Sequence, residues 1–131
     1  RQRGSSPKLQ VLNTALMSTQ SGLSFEEARA DREFWGRLVE SAIGAHLANA
    51  AGAGECELFY WRERNHEVDF VVRAGRALTA IEVKSGRSRD TQPGLAAFTD
   101  AFKSSRRLLV GGDGIPVEEF LLRPVAHWVT R

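Results

Sequence analysis

Hydrophobic positions along the chain recur with two different periods, one typical of helices and one typical of strands. Between these stretches, glycine-rich and polar runs mark the turns, such as Ala-Gly-Ala-Gly at 51–54. The predicted elements are a helix at 25–51 with a break near Ala30, strands at 57–62, 67–73 and 77–84, a helix at 92–103, and a strand at 107–110. The order is therefore helix, three strands, helix, strand.

The same periodicity predicts which side chains form the core. The long helix is expected to bury a stripe made of Trp35, Leu38, Val39, Ala42, Ile43, His46, Leu47 and Ala50. The second helix is expected to bury Leu95, Phe98, Thr99 and Phe102. An apolar tail at 116–128 is expected to pack back onto the body through Phe120, Leu121, Leu122, Val125 and Trp128.

With 131 residues, the chain can bury one sizeable core but not two. We expect residues 1–24 to be an N-terminal linker with a short strand at Lys8–Leu12 and an ambiguous turn or short helix at Asn13–Gln20. Residues 25–131 are expected to form the single domain.

The stretch from 67 to 84 predicts a β-hairpin that carries ionisable side chains. The alternation assigns one face of its first strand to Val68, Phe70 and Val72 and the other to Glu67, Asp69 and Val71. Gly75 can adopt the positive φ that a tight turn needs. In the second strand, Glu82 and Lys84 share a face, opposite Ile81 and Val83. Pairing of the two strands would therefore bring Asp69, Glu82 and Lys84 together.

These three side chains could form a site for a divalent cation. Two adjacent carboxylates repel each other, and a hard divalent cation such as Mg²⁺ or Mn²⁺ relieves the repulsion. The backbone carbonyl of Val83 could serve as a third ligand, and Lys84 could position or activate a water that attacks a phosphodiester. The alternative is a solvated sheet face with a Glu–Lys pair two residues apart, which stabilises by a few tenths of a kcal/mol at most.

Asp69 followed by Glu82-Val83-Lys84, within this order of elements, resembles the PD-(D/E)xK nuclease-like superfamily. The resemblance implies an α/β fold with an αβββαβ core, in which helices flank a mixed sheet and the last strand lies parallel to the Glu82 strand. It also implies a further acid on the first helix. Glu40, on the border of the apolar stripe, is the residue at that place; alternatively, it is a solvated carboxylate on the flank of an amphipathic helix.

Several motifs along the chain resemble one family in particular. They are Pro7-Lys8-Leu9, Gly36-Arg37-Leu38-Val39-Glu40, Trp61-Arg62, Glu67-Val68-Asp69-Phe70, Ile81-Glu82-Val83-Lys84-Ser85-Gly86 and Leu108-Leu109-Val110-Gly111. The family is a domain of unknown function at the C-terminal end of prokaryotic AAA+-type ATPases. Asn13-Thr14-Ala15-Leu16 departs from its pattern, in which an Asp and a Gly are usual. The resemblance implies an ATPase module of the same full-length protein as a partner.

ATP hydrolysis is not expected of this chain itself. It lacks the Gly-x-x-x-x-Gly-Lys-Ser/Thr loop that cradles phosphates, and Gly111–Gly114 is interpreted as a turn. We therefore assign no nucleotide-binding residues.

Fifteen arginines accompany only three lysines, although the net charge is only +2. An arginine-biased genome explains this excess; phosphate recognition is the alternative, because arginine makes bidentate contacts. The arginines in or beside the acid-bearing strands, which would contact nucleic acid, are Arg62, Arg64, Arg73, Arg76, Arg87 and Arg89. The local clustering favours a basic rim more than the net charge does.

The other reactive side chains suggest structural roles. Cys56 is the one cysteine, so no intramolecular disulfide is expected, which fits a reducing cytoplasm. No signal peptide or membrane span is expected. His46 is interpreted as a core histidine, His66 as a loop residue, His127 as part of the tail and Trp61 as a sheet aromatic.

Two functions remain open from the sequence. In the first, the chain is a nuclease-like module that acts on or docks to DNA or a partner, with or without catalysis. In the second, it is an active Mg²⁺-dependent DNA endonuclease that uses Asp69, Glu82 and Lys84, assisted by Glu40.

Overall fold

The computed structural model describes residues 22, 24–63, 66–84, 93–103 and 105–129. Within these ranges the helices are α1 (Phe25–Ala30), α2 (Arg32–Gly52), α3 (Pro93–Ala101), α4 (Val117–Leu122) and α5 (Val125–Val129). The strands are β1 (Glu57–Glu63), β2 (His66–Ala74), β3 (Ala77–Lys84) and β4 (Arg106–Gly111). The predicted strand at Lys8–Leu12 and the segment Asn13–Gln20 lie outside the described residues.

The predicted break near Ala30 is confirmed, and local chemistry explains it. Ser24 and Glu27 form a reciprocal capping box at the start of α1. Asp31 then interrupts the helix with an extended backbone, and its side chain accepts a hydrogen bond from the N–H of Phe34 at 3.0 Å. Asp31 therefore caps α2, which continues for 21 residues.

The four strands form one mixed sheet in the order β1-β2-β3-β4. β1 pairs antiparallel with β2, β2 pairs antiparallel with β3, and β4 lies parallel to β3, as predicted. The β2–β3 turn is made by Gly75 and Arg76, and Gly75 adopts φ 61°. The described chain is thus a mixed α/β fold.

Helices cover both faces of this sheet. The larger core cluster combines α2, the sheet and the tail helices through Ile43, Leu47, Ala50, Phe70, Val72, Ile81, Val110, Phe120, Val125 and Val129. The smaller cluster joins α3 to the other face through Trp61, Val68, Val71, Ala80, Leu95 and Phe98. The predicted packing of the tail onto the body is confirmed, because Phe120 is fully buried.

Most predicted core positions of the helices hold. In α2, Val39, Ile43, Leu47 and Ala50 are buried, whereas Trp35, Leu38, Ala42 and His46 are half-buried. Leu95 and Phe98 are buried, and Thr99 is half-buried. Phe34, near the start of α2, is buried although the helical period did not predict it.

Two predicted core residues were wrong. Phe102 is 42% exposed because α3 ends at Ala101 and the backbone turns there. Leu122 is 85% exposed because Phe120 and Val125, on either side of the turn at Arg123–Pro124, take the positions that face the core. His66, predicted in a loop, is the first residue of β2.

Val68 was predicted on the wrong face. It packs in the smaller cluster with Val71, whereas Phe70 and Val72 face the larger one. The cause is an irregularity in the β1–β2 register: between the pairs Phe59–Val71 and Trp61–Val68, β2 contains one residue more than β1. This β-bulge breaks the alternation at Asp69.

Candidate functional site

The acidic residues of the predicted hairpin meet where the regular β2–β3 ladder stops. The last paired residues are Phe70 and Ile81, next to the bulge. Beyond them, the carboxylate of Asp69 replaces a backbone carbonyl as the hydrogen-bond acceptor: its Oδ2 accepts from the N–H of Val83 at 2.8 Å. Asp69 is only 8% exposed, so this contact holds a buried side chain in place.

Glu82 lies against the same point. Its Oε1 accepts a longer hydrogen bond, 3.4 Å, from the backbone N–H of Asp69. The backbone of Asp69 thus donates to the Glu82 carboxylate, while the Asp69 carboxylate accepts from Val83, the residue after Glu82. Asp69 and Glu82 therefore lie close together, as predicted. We call these two residues the acid pair.

The electrostatics of the acid pair raise the pKa of Glu82 from its ordinary value of 4.5 to about 7. Burial is the first cause and the charge of Asp69 is the second, since both disfavour a charged Glu82. The hydrogen bond from the Asp69 N–H and the positive charge of Lys84 act the other way, lowering this pKa. The Lys84 ammonium is thus close enough to influence Glu82, as the Glu-x-Lys spacing predicts.

Backbone geometry adds a third oxygen to the acid pair. In a strand, the N–H and the C=O of one residue point to the same edge. Since the N–H of Val83 bonds to Asp69, the Val83 carbonyl also points to that edge. Two carboxylates and a carbonyl are hard oxygen donors, and this donor set fits Mg²⁺ or Mn²⁺.

Glu40 has a different environment. It is half-buried on α2, a helix that packs on the sheet face of the larger core. In the ranges that the structure describes, no three or more His, Cys, Asp or Glu side chains are grouped so that they could hold a metal ion. Glu40 therefore does not complete a three-acid cluster with the acid pair.

The predicted basic rim divides between the two ends of the hairpin. Arg62 lies at the acid end, where its Nε is 3.6 Å from Glu67 Oε2. Arg73 donates to Glu57 at 2.9 Å, and it lies with Arg76 near the turn end, about 13 Å of strand from Asp69. Both described pairs are exposed ion pairs across neighbouring strands, which contribute little to stability. Arg64, Arg87 and Arg89 lie outside the described residues.

Two glycines that were not predicted to belong to the acid site pack against the backbone of its strands. A side chain at Gly94, near the start of α3, would overlap the carbonyl of Glu67. A side chain at Gly111, at the end of β4, would overlap the carbonyl of Lys84. No sequence pattern identifies such contacts, because they join residues distant in the chain.

A cavity of about 300 Å³ opens beside α3. Its lining residues are Trp61, Glu63, His66, Ala97, Asp100 and Ala101. Asp100 is already bonded to Lys103 at 2.7 Å. Trp61 packs edge-on against Phe98, which supports its interpretation as a sheet aromatic.

The remaining reactive residues are structural or unremarkable. His46 is half-buried, its Nε2 lies 2.9 Å from the Arg123 carbonyl oxygen, and its ring packs on Phe120, as expected of a core histidine. His127 is exposed in α5 and packs edge-on against Trp128. Cys56 is a free thiol whose pKa is raised by partial burial and by Glu55. Of the helices in the described part of the chain, none combines the length and the apolar character needed to cross a membrane.

Comparison with known proteins identifies a family for this chain. A search of the curated proteins and a search of the solved structures each found no match. A family model described as a domain of unknown function (DUF4143) matches residues 35–119, a range that includes α2 from Trp35 onward, all four strands, α3 and the acid pair. The family predicted from the sequence motifs was a domain of unknown function, and on this match the chain belongs to the DUF4143 family.

Proposed function

We propose that the chain is the C-terminal nuclease-like module of an AAA+-type ATPase, with a PD-(D/E)xK core, and that it acts on or docks to DNA or a partner protein. The observation that carries the proposal is the acid pair: Asp69 and Glu82 meet at the end of the β2–β3 hairpin, with the pKa of Glu82 raised to about 7. The order of helix, three strands, helix and strand supports the nuclease-like core.

In this proposal, Asp69, Glu82 and the Val83 carbonyl hold a divalent cation. When bound, Mg²⁺ or Mn²⁺ would supply a Lewis acid for a phosphate oxygen. The Val83 N–H holds the Asp69 carboxylate in place, and Asp69 and Glu82 provide the negative charge that attracts the cation. Arg62, at the same end of the hairpin, would contact a neighbouring phosphate.

The second candidate function is hydrolysis of DNA phosphodiesters. The influence of Lys84 on the pKa of Glu82 favours it, because an ammonium close to the acid pair can orient an attacking water. Lys84 would then be the catalytic residue, and Asp69 and Glu82 would keep the role given above. Glu40 would assist from α2 without belonging to the acid pair.

Thermal unfolding with and without metal tests the proposed site. A cation at ten times its dissociation constant should stabilise the native protein by about 1.4 kcal/mol, which raises the melting temperature by several degrees. Asp69→Asn and Glu82→Gln, which keep the hydrogen-bond acceptors, should abolish this shift. Glu119→Gln, a change at an exposed position of α4, should retain it. If millimolar Mn²⁺ and Mg²⁺ leave the native melting curve unmoved, the cation site is disproved and docking without metal remains.

A cleavage assay on plasmid and on single-stranded DNA separates docking from hydrolysis. Lys84→Met should leave the metal-dependent shift largely intact but eliminate any cleavage, whereas Lys103→Met, at an exposed lysine beside Asp100, should change neither. DNA binding without metal-dependent cleavage by the native chain would reject the hydrolytic function and support the docking function.

A further inference from the structure

We propose that Gly111 is a positioning residue for the acid pair: by lacking a side chain, it lets β4 close against the Lys84 carbonyl and holds the end of β3 in place. This inference rests on the function proposed above for Asp69 and Glu82. Gly111 acts on the acid pair through the backbone of Lys84 and Val83.

The contact between Gly111 and Lys84 requires glycine. The two residues are register partners in the parallel β3–β4 ladder. Gly111 is buried with φ 84°, and a Cβ added there would overlap the carbonyl oxygen of Lys84. The backbone of Gly111 is fixed from the other side as well, because its N–H donates to the Ile115 carbonyl at 2.7 Å. A side chain at Gly111 therefore moves Lys84 or breaks this turn.

A displacement of the Lys84 carbonyl reaches the acid pair in two steps. The backbone groups of successive strand residues point to opposite edges, so Lys84 faces β4 while Val83 faces β2. Val83 is the donor that holds Asp69 Oδ2, and Asp69 in turn donates to Glu82. If the end of β3 shifts away from β4, it moves toward β2, and the bond from Val83 to Asp69 is the first contact of the site whose geometry is disturbed.

Gly75 provides a matched control. It also has a positive φ, 61°, so an alanine there meets the same kind of backbone strain as an alanine at Gly111. A Cβ at Gly75, however, would have no heavy atom within 4 Å. A difference between Gly111→Ala and Gly75→Ala therefore reports the contact with Lys84 rather than the cost of a left-handed backbone.

The experiment has a metal-free and a metal-dependent measurement. Amide hydrogen exchange of Val83, compared with that of Ile81 in the same strand, reports the bond to Asp69. We expect Gly111→Ala to accelerate amide exchange at Val83 relative to exchange at Ile81 by about tenfold or more. Gly75→Ala should leave the ratio of the two exchange rates unchanged. Calorimetric titration with Mn²⁺ should show binding about tenfold weaker in Gly111→Ala than in Gly75→Ala.

The outcomes separate the two proposals. Faster Val83 exchange in Gly111→Ala with no Mn²⁺ binding by the native chain supports the positioning role and rejects the metal site. Equal exchange ratios and equal Mn²⁺ affinities in the two variants overturn the positioning role and leave the metal site standing. If Gly111→Ala does not fold, the pair Gly111→Asn and Gly75→Asn gives the same comparison, because asparagine tolerates a positive φ while keeping the Cβ.

Discussion

The raised pKa of Glu82 makes the free energy of unfolding depend on pH. The native state keeps the Glu82 proton up to a pH of about 7, whereas an unfolded glutamate loses it near 4.5. Between these values the native state binds more protons than the unfolded state, so stability falls as pH rises and levels off above 7. The full shift corresponds to about 3 kcal/mol, and solvent screening of the half-buried group reduces this to about 1–2 kcal/mol.

Glu82→Gln should remove this dependence, because glutamine accepts the same hydrogen bond without charge. We expect the variant to be more stable than the native protein by about 1–2 kcal/mol at pH 8 and equally stable at pH 4. Urea unfolding at a series of pH values measures the difference. Glu119→Gln, at an exposed position, is the control. A stability difference that is the same at every pH would contradict the role of Glu82 charge.

Thr79 gives a second test at the scale of one residue. It is fully buried, and within the described residues its hydroxyl has no hydrogen-bond partner. Thr79→Val replaces the hydroxyl by a methyl group of similar size and should stabilise the protein by about 1 kcal/mol. Thr99→Val is the matched control: it removes a bond of 2.8 Å to the Leu95 carbonyl, so it should not stabilise. Calorimetric melting measures the stability of both variants. If Thr79→Val is less stable than the native protein, the Thr79 hydroxyl does have a hydrogen-bond partner.

Residue types and spacing were enough to predict that Asp69 and Glu82 meet, since alternation and a glycine turn define a hairpin. They were not enough to place Val68 or to find the bond from Val83 to Asp69. Both depend on the bulge, which arises from pairing with β1 and leaves no local mark in the sequence. The predicted place of Glu40 beside the acids depended on tertiary packing of α2, which periodicity does not describe.

At the scale of elements, strands and long helices were predicted almost to the residue, because each has a strong hydrophobic period. The tail was different. Helices α4 and α5 contain six and five residues, which is too short for a helical period to stand out from a loop. Their apolar residues predicted packing, but only the fold decides that Phe120 enters the core while Leu122 faces solvent.

Two substitutions in α4 test this assignment of the tail. Phe120→Ala should lower the free energy of unfolding by about 3–5 kcal/mol, because it opens a cavity in the larger core. Leu122→Ala, two residues away, should change it by at most about 0.5 kcal/mol, because the side chain is 85% exposed. Chemical denaturation of the two variants gives both values. Similar losses at the two positions would mean that α4 packs through a different face.

For the whole molecule, the family match and the folded unit have different ends. The match stops at residue 119, whereas Phe120, Val125 and Val129 belong to the larger core cluster. The family boundary therefore cuts through the packing of α4 and removes α5.

We expect a chain that ends after Glu119 to lose cooperative thermal unfolding, because three buried residues of the core are missing. A chain that ends after Val129 keeps these residues and should melt like the full chain. Circular dichroism during heating compares the two. A cooperative transition in the shorter chain would show that the tail packs on a domain that is complete without it.

The parallel pairing of β3 with β4 implies an order of events during folding. The β2–β3 hairpin closes through a two-residue turn, whereas β4 is separated in sequence from β3 by residues 85–105, so its pairing with β3 closes a longer loop. Contacts between neighbours in sequence form before distant ones, so Asp69 and Glu82 meet while water still surrounds them. Their mutual repulsion then grows as α3 and β4 cover the hairpin. The late steps of folding, not closure of the hairpin, should therefore slow down as pH rises.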